Sequence, residues 1–144
     1  MSKLYDVAVV GGGAAGMMAA LSAHDNLWGG SVVIIEKNKY TGRKIGITGK
    51  GRCNLTNNCT VNELLEAVRS NPKFLYGAAS RFTPADTMDF FEGMGVPLKT
   101  ERGRRVFPVS DKASDIQFAF DRAIKERGIE VRPNRRSVPE YCGA

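Results

Sequence analysis

Gly11, Gly13 and Gly16 are spaced as G-x-G-x-x-G, a pattern in which each glycine meets a different steric demand. Gly11 permits a tight turn, Gly13 lets backbone approach a phosphate, and Gly16 lets a helix pack closely on the preceding strand. Ala14 and Ala15 open that helix. Its first amides lack intrahelical acceptors and carry partial positive charge, so an anion is favoured beside them. Glu36 follows about twenty positions later, ending the apolar run Val32-Val33-Ile34-Ile35, where a carboxylate accepts both hydroxyls of an adenosine ribose and repels a 2′-phosphate. The order of strand, glycine turn, small-residue helix, strand and acid describes a dinucleotide site. The rival phosphate loop, G-x-x-x-x-G-K-[ST], fits neither this region nor Gly46-Ile47-Thr48-Gly49-Lys50-Gly51, which argues against a P-loop nucleotidase.

The elements that must hold these residues follow from the flanking pattern. A strand is expected from Tyr5 to Val10, a helix from Ala14 to Ala23 and a parallel strand from Ser31 to Glu36, both strands apolar throughout as though helices covered both faces. Residues 37–58 are dense in glycine and cations without helical period, which predicts a long structured loop. Thr60 to Glu63 has capping-box spacing, and Asn71-Pro72 and Thr83-Pro84 place a cap before proline, so short helices are expected over about 61–69, 72–81 and 84–92. Val96-Pro97-Leu98 and Val106-Phe107 flank Arg102-Gly103 as a hairpin would. Ser114 to Gln117 offers another capping box. Ile116, Phe120 and Ile124 recur every fourth residue as a core stripe, Gly128 ends that helix, and residues 128–132 form the third parallel strand.

The chain of 144 residues with 42% hydrophobic content suits one globular domain. The four apolar residues before Gly11 are too few for a signal-peptide core or a membrane span, so a cytoplasmic protein with no membrane contact is expected. The net charge of +6 is spread over separate loops without interleaved aromatics, so no nucleic-acid partner is expected. Three cysteines and one histidine support neither a disulfide framework nor a metal site. His24 is expected at the surface or capping its helix.

Longer segments carry a more specific signal: Glu36-Lys37, Gly42-Arg43-Lys44, Thr48-Gly49-Lys50-Gly51-Arg52-Cys53-Asn54-Leu55-Thr56-Asn57, and Arg105-Val106-Phe107-Pro108-Val109-Ser110-Asp111-Lys112-Ala113-Ser114-Asp115. With the glycine turn, they resemble the YhiN/BaiN-like family of FAD-dependent oxidoreductases from about Asp6 to Arg132. The resemblance implies an α/β, Rossmann-like βαβ domain holding FAD on a parallel sheet, with a helical insertion over about 60–110 between the second and third strands. It implies reduction by NADH or NADPH, small or steroid-like organic substrates, and a 42–57 loop that wraps the FAD pyrophosphate. Gly49 and Gly51 would let amides approach there, beside Thr48 and Asn54. Arg43, Lys44, Lys50 and Arg52 are more cations than a diphosphate requires, so some must face solvent.

Cys53 leaves two readings open: a packing thiol, or one of a redox pair with Cys59, its neighbouring cations lowering its pKa. The family motif has the first cysteine without the second. No residue stands out as a general acid or base, since hydride transfer is the flavin's chemistry. Family members continue with a substrate domain, whereas residues 133–144 bring two prolines and no apolar run, like a truncated or frame-shifted end. Domain 1–132 would then leave its first strand as an open sheet edge. Weak FAD binding and no detectable turnover are expected of the chain alone, and a non-catalytic dinucleotide-binding module is the alternative.

Overall fold

A computed structural model of the chain describes residues 3–136. Strand β1 (Val7–Val10) leads through the glycine turn into helix α1 (Ala14–Asn26), then strand β2 (Val32–Ile35) and helix α2 (Arg43–Ile47). A 3-10 turn (Thr48–Gly51) precedes β3 (Thr56–Asn57), α3 (Val61–Glu66), α4 (Pro72–Arg81) and α5 (Pro84–Gly93). The chain then forms β4 (Leu98–Thr100), a 3-10 turn (Arg102–Arg104), β5 (Arg105–Pro108), α6 (Ala113–Glu126) and β6 (Glu130–Arg132). These elements divide into two compact units, one of residues up to Ile45 and from Phe120 onward, the other Gly46–Ala119.

The first unit is a parallel three-stranded sheet in the order β1-β2-β6, with Val7 opposite Val32, Val10 opposite Ile35 and Ile34 opposite Val131. Parallel strands need crossovers, which α1 supplies between the first two. The central strand is buried at Val32, Val33 and Ile34, and Met17, Ala20 and Leu21 of α1 are buried with it. The fold class expected from the spacing is present. Helices were expected to cover both faces of both strands, yet β1, the edge strand that was also expected to be open, alternates half-buried and exposed residues. Its partner β2 lies on one side only among the described residues, which leaves Val10 64% exposed. Asp6 fastens the start of this edge strand, its carboxylate accepting hydrogen bonds from Ser31 N at 2.7 Å and Ser31 Oγ at 2.8 Å.

The second unit carries its own antiparallel sheet, in the order β3-β5-β4, with Thr56 and Thr100 both opposite Val106. The expected hairpin is therefore real, and Gly103 at φ 75 makes its turn. The insertion between the second and third parallel strands is not purely helical. Residues 37–58 also depart from the loop expected for them, since α2, a 3-10 turn and β3 lie there. Four- and five-residue helices leave too few repeats for a hydrophobic period to register.

Local chemistry accounts for the helix starts. Thr60 with Glu63 and Thr83 with Asp86 form complete capping boxes. Asn71 makes no side-chain cap and instead sits in the left-handed region at φ 48, while proline at the first helical position sets the turn. Ser114 lies inside the first turn of α6, so the box expected from it does not form; Ser110 Oγ donates to Asp115 Oδ2 at 2.6 Å instead. The stripe Ile116, Phe120 and Ile124 is buried as its spacing requires. Of the residues expected to be an atypical tail, Asn134 and Arg135 donate backbone hydrogen bonds to Asn38 O and Glu36 O, and 137–144 lie outside the described residues.

Ile34, fully buried in the central strand, is the sharpest test of the first unit. Ile34→Ala is expected to lower stability by roughly 2–5 kcal/mol, read as the shift in a urea unfolding curve. A loss under about 1 kcal/mol would contradict the assignment of β2 as the core strand.

Candidate site at the glycine turn

The turn after β1 is built as its glycines require. Gly11 has φ +100, and a Cβ on Gly16 would lie 1.8 Å from the Gly11 carbonyl oxygen, so α1 can pack on the strand only without one. A Cβ on Gly13, by contrast, would meet nothing within 4 Å. The chain itself gives no reason for glycine there, and the space it keeps open lies at the N-terminus of α1. That helix starts at Gly13 with no side-chain cap and no acidic residue in its first turn. Its amides are those of Ala14, Ala15 and Gly16, directed away from the helix body.

Gly12, between the expected positions, is equally constrained. A Cβ there would approach Thr41 Cγ2 to 2.6 Å and Glu36 Oε2 to 3.1 Å. Its amide donates to Glu36 Oε2 at 2.6 Å, and its carbonyl accepts from Gly42 N at 2.7 Å. Glu36 is 6% exposed. Its other oxygen accepts from Asn38 N at 2.7 Å and Asn38 Nδ2 at 2.6 Å. Burial alone would raise the Glu36 pKa, but the amides of Asn38 and Gly12, the Asn38 side chain and the Lys37 charge outweigh it and hold the carboxyl below its ordinary value.

Glu36 thus does more than its position at the strand end announced: it ties the glycine turn to the end of β2. Lys37 is exposed beside it, and both line a cavity of about 420 Å³ with Gly11, Asn38, Arg135 and Arg136. Arg43 and Lys44 lie exposed on α2, Arg43 Nη1 reaching Asn38 Oδ1 at 3.4 Å. Spacing did not single out Gly12, Asn38, Arg135 or Arg136. The triple glycine was a signal for the first. The arginines were hidden in a segment whose composition looked irregular.

Thr48, Gly49, Gly51, Arg52, Cys53 and Asn54 belong to the second unit and fold into a compact turn of their own. Gly49 and Gly51 have φ 56 and 84, and a Cβ on Gly49 would lie 2.9 Å from Asn54 N and 3.3 Å from the Phe107 ring. Internal packing therefore demands glycine at 49. Arg52 is engaged within the chain. It pairs with Glu101 and with Asp111 at 2.7 Å, and its guanidinium stands 4.1 Å from the centre of the Phe107 ring. Lys99 joins the same cluster, 2.7 Å from Asp111. Lys50 and Asn54 are exposed. The cation surplus noted in this loop is thus met in part by carboxylates.

Cys53 is buried, at φ 59, and its amide donates to Thr48 O at 3.1 Å. Burial pushes its thiol pKa up against a smaller lowering by a Thr48 side-chain hydrogen bond, opposite to the lowering expected from nearby cations. Arg52, the adjacent cation, is neutralised by its carboxylates, so desolvation decides. Cys53 and Cys59 are both free thiols. Among the described residues no cluster of metal-ligating side chains occurs and no helix is long and apolar enough to cross a membrane.

A parallel sheet whose first turn is glycine-lined and tied to a buried acid at the next strand end defines a Rossmann-type dinucleotide fold. The chain belongs to the HI0933-like protein Rossmann domain family, a flavoprotein family, whose model matches residues 5–140. It is 30% identical over 128 residues to the 3-dehydro-bile acid delta(4,6)-reductase of Clostridium scindens, covering 87% of this chain and 30% of that protein. It is 37% identical over 92 residues to the ribosomal RNA dihydrouridine synthase of Escherichia coli, covering 64% of this chain and 22% of that protein. The chain thus spans less than a third of the curated relatives it matches. Among solved structures, the 3-ketosteroid-delta4-(5alpha)-dehydrogenase of Rhodococcus jostii RHA1 shares the fold with a TM-score of 0.66 over 92% of this chain and 38% of that one, at 13% identity. A flavocytochrome c3 fumarate reductase does so with a TM-score of 0.56 over 92% of this chain and 27% of that one, at 23% identity.

Because the folded pKa of Glu36 lies below its unfolded value, its contribution to stability is complete above the unfolded carboxylate pKa of about 4.3 and is lost as pH falls through the folded one. Glu36→Gln is therefore expected to be less stable than the parent at pH 7, and the difference to shrink steadily below about pH 4.3, as followed by urea unfolding at each pH. A pH-independent difference would refute the charge-based role. Cys53 is expected to alkylate far more slowly than Cys59 in the native chain at pH 7.5, by peptide mass spectrometry after iodoacetamide. Equal rates would restore the reactive-thiol reading.

Proposed function

We propose that the chain is the FAD-holding part of a flavoprotein reductase, with the ADP half of FAD seated at the glycine turn. The observation that carries this reading is the start of α1. Helices α3 and α5 both begin with a threonine-acid capping box, while α1 begins uncapped with open space at Gly13. A diphosphate would accept from the amides of its first turn and balance its dipole without a lysine. Gly11, Gly13, Ala14, Ala15 and Gly16 would hold the diphosphate, and Glu36 and Lys37 would lie at the ribose. The resemblance extends this to Arg43, Lys44, Thr48, Gly49, Gly51, Cys53 and Asn54. Arg52 would act there chiefly by fixing the turn, given its two carboxylate partners.

Bound FAD supplies hydride acceptance and donation, and the protein positions and tunes it. NADH or NADPH is the reductant in this reading. The names of the two curated relatives are a 3-dehydro-bile acid delta(4,6)-reductase and a ribosomal RNA dihydrouridine synthase, and a dihydro product is formed from its parent by adding two hydrogens across a double bond. The proposed reaction class is accordingly reduction of such a bond in an organic substrate. Residues 1–132 would be the FAD domain in this assignment, and the substrate site would lie in the part of the relatives that this chain does not span.

The test is equilibrium titration of FAD into the chain, followed by flavin fluorescence and visible absorbance. Saturable binding is expected. Gly13→Val should weaken it at least tenfold while leaving the thermal midpoint nearly unchanged, because its side chain enters open space rather than the core. Gly16→Val should lower the midpoint itself. FAD that never saturates, or binds Gly13→Val as tightly as the parent, would sink the proposal.

A further inference from the structure

Helix α4 carries an apolar exterior. It packs on α3 within the second unit, yet of its ten residues only Ala79 is buried, while Phe74 is 81% and Tyr76 59% exposed. Between the two helices runs a groove of about 460 Å³, walled by Leu65 of α3 and by Pro72 and Tyr76 of α4. Glu66 and Lys73 line the same groove, both exposed. Glu63, one turn earlier, is engaged by Arg104 at 2.6 Å. Among the described residues, Glu66 and Lys73 form no ion pair, with each other or with a third residue. One short helix pair thus presents an aromatic knob, an apolar hole, an acid and a base. A two-fold axis turns such a set into matched pairs, since whatever one copy offers the second, the second offers the first. A second copy of this chain supplies all four features at once. An anionic lipid surface would instead meet the uncompensated carboxylate of Glu66.

We propose that the α3–α4 face is a self-association surface, on which Phe74 of each copy enters the groove of the second and Lys73 of each meets Glu66 of the second. This association does not depend on what occupies the glycine turn, so either can fail without the other. Burial of two phenylalanine rings in apolar grooves drives it, as aromatic anchors drive most small interfaces. The two ion pairs lie at the rim, where solvent and salt screen them, and they set register and partner choice more than strength. A pair of short helices offers less area than a standard interface of roughly 1,200–2,000 Å², so the dimer is weak and reversible.

The experiment is sedimentation velocity of the 144-residue chain over roughly a hundredfold range of micromolar concentrations. A reversible monomer–dimer equilibrium is expected. Phe74→Asp should weaken it at least tenfold, and Glu66→Lys and Lys73→Glu should each weaken it roughly three- to tenfold at low salt. All three positions are exposed, so circular dichroism of each variant should match the parent. Mixing the two charge variants gives the sharpest readout. Glu66→Lys pairs like charges with its own copies, and so does Lys73→Glu, whereas one of each pairs opposite charges at both contacts. The mixture should therefore form a heterodimer about as strong as the parent dimer, and the doubly swapped chain should recover self-association. A chain that stays monomeric throughout would overturn the proposal, whatever else that face then binds. A dimer indifferent to Phe74→Asp would place the contact elsewhere, such as the open edge of β1, and charge variants with no preference for each other would exclude the two-fold pairing.

Discussion

The hydrogen bond from the Gly12 amide to the buried carboxylate of Glu36 is the contact on which the first unit's candidate site depends. Two parallel strands joined by a helix leave their carboxyl ends side by side, with loops free to diverge. Glu36 prevents this by accepting from the turn after β1 with one oxygen and from the turn after β2 with the other. A buried anion without such partners would be costly, but here each oxygen is met by a donor. The same bonds explain why Gly12 must be glycine: a Cβ would intrude on Thr41 and press on the carboxylate.

The two glycine-rich turns reach similar composition for different reasons. At the first, Gly11 serves its positive φ and Gly16 the packing of the helix, whereas Gly13, at an ordinary φ of −78 and with nothing within 4 Å of a Cβ, answers neither demand. In the second, Gly49 faces Asn54 and Phe107, and Arg52 is drawn into a cluster of two acids and Lys99. A count of glycines and cations cannot separate a turn shaped for a ligand from one shaped by its own packing. The distinction lies in what the missing side chain would touch.

Much of the parallel sheet was legible because its signals are local: an apolar run, glycine at fixed offsets, an acid at the next strand end. The capping boxes at Thr60 and Thr83 were legible for the same reason. What escaped depends on partners distant in sequence. The hydrogen bonding of both Glu36 oxygens needs Asn38 and Gly12 together. Neutralisation of Arg52 needs Glu101 and Asp111, and the raised Cys53 pKa follows from burial that no neighbouring residue announces. Arg135 and Arg136 acquire a place only when backbone bonds to Glu36 and Asn38 fold their segment over the strand ends.

The exposed flank of β1 has a thermodynamic consequence. The strand that carries the glycine turn is supported by a single ladder among the described residues, that with β2. Local opening free energy is lowest where elements have few packed neighbours. Any nucleotide that grips the turn only in its ordered form shifts that opening equilibrium by mass action. Ordering of the edge strand and occupancy of the candidate site would then be a single coupled equilibrium, and the protection of the Val7–Val10 amides against hydrogen exchange would gauge how much ligand is bound.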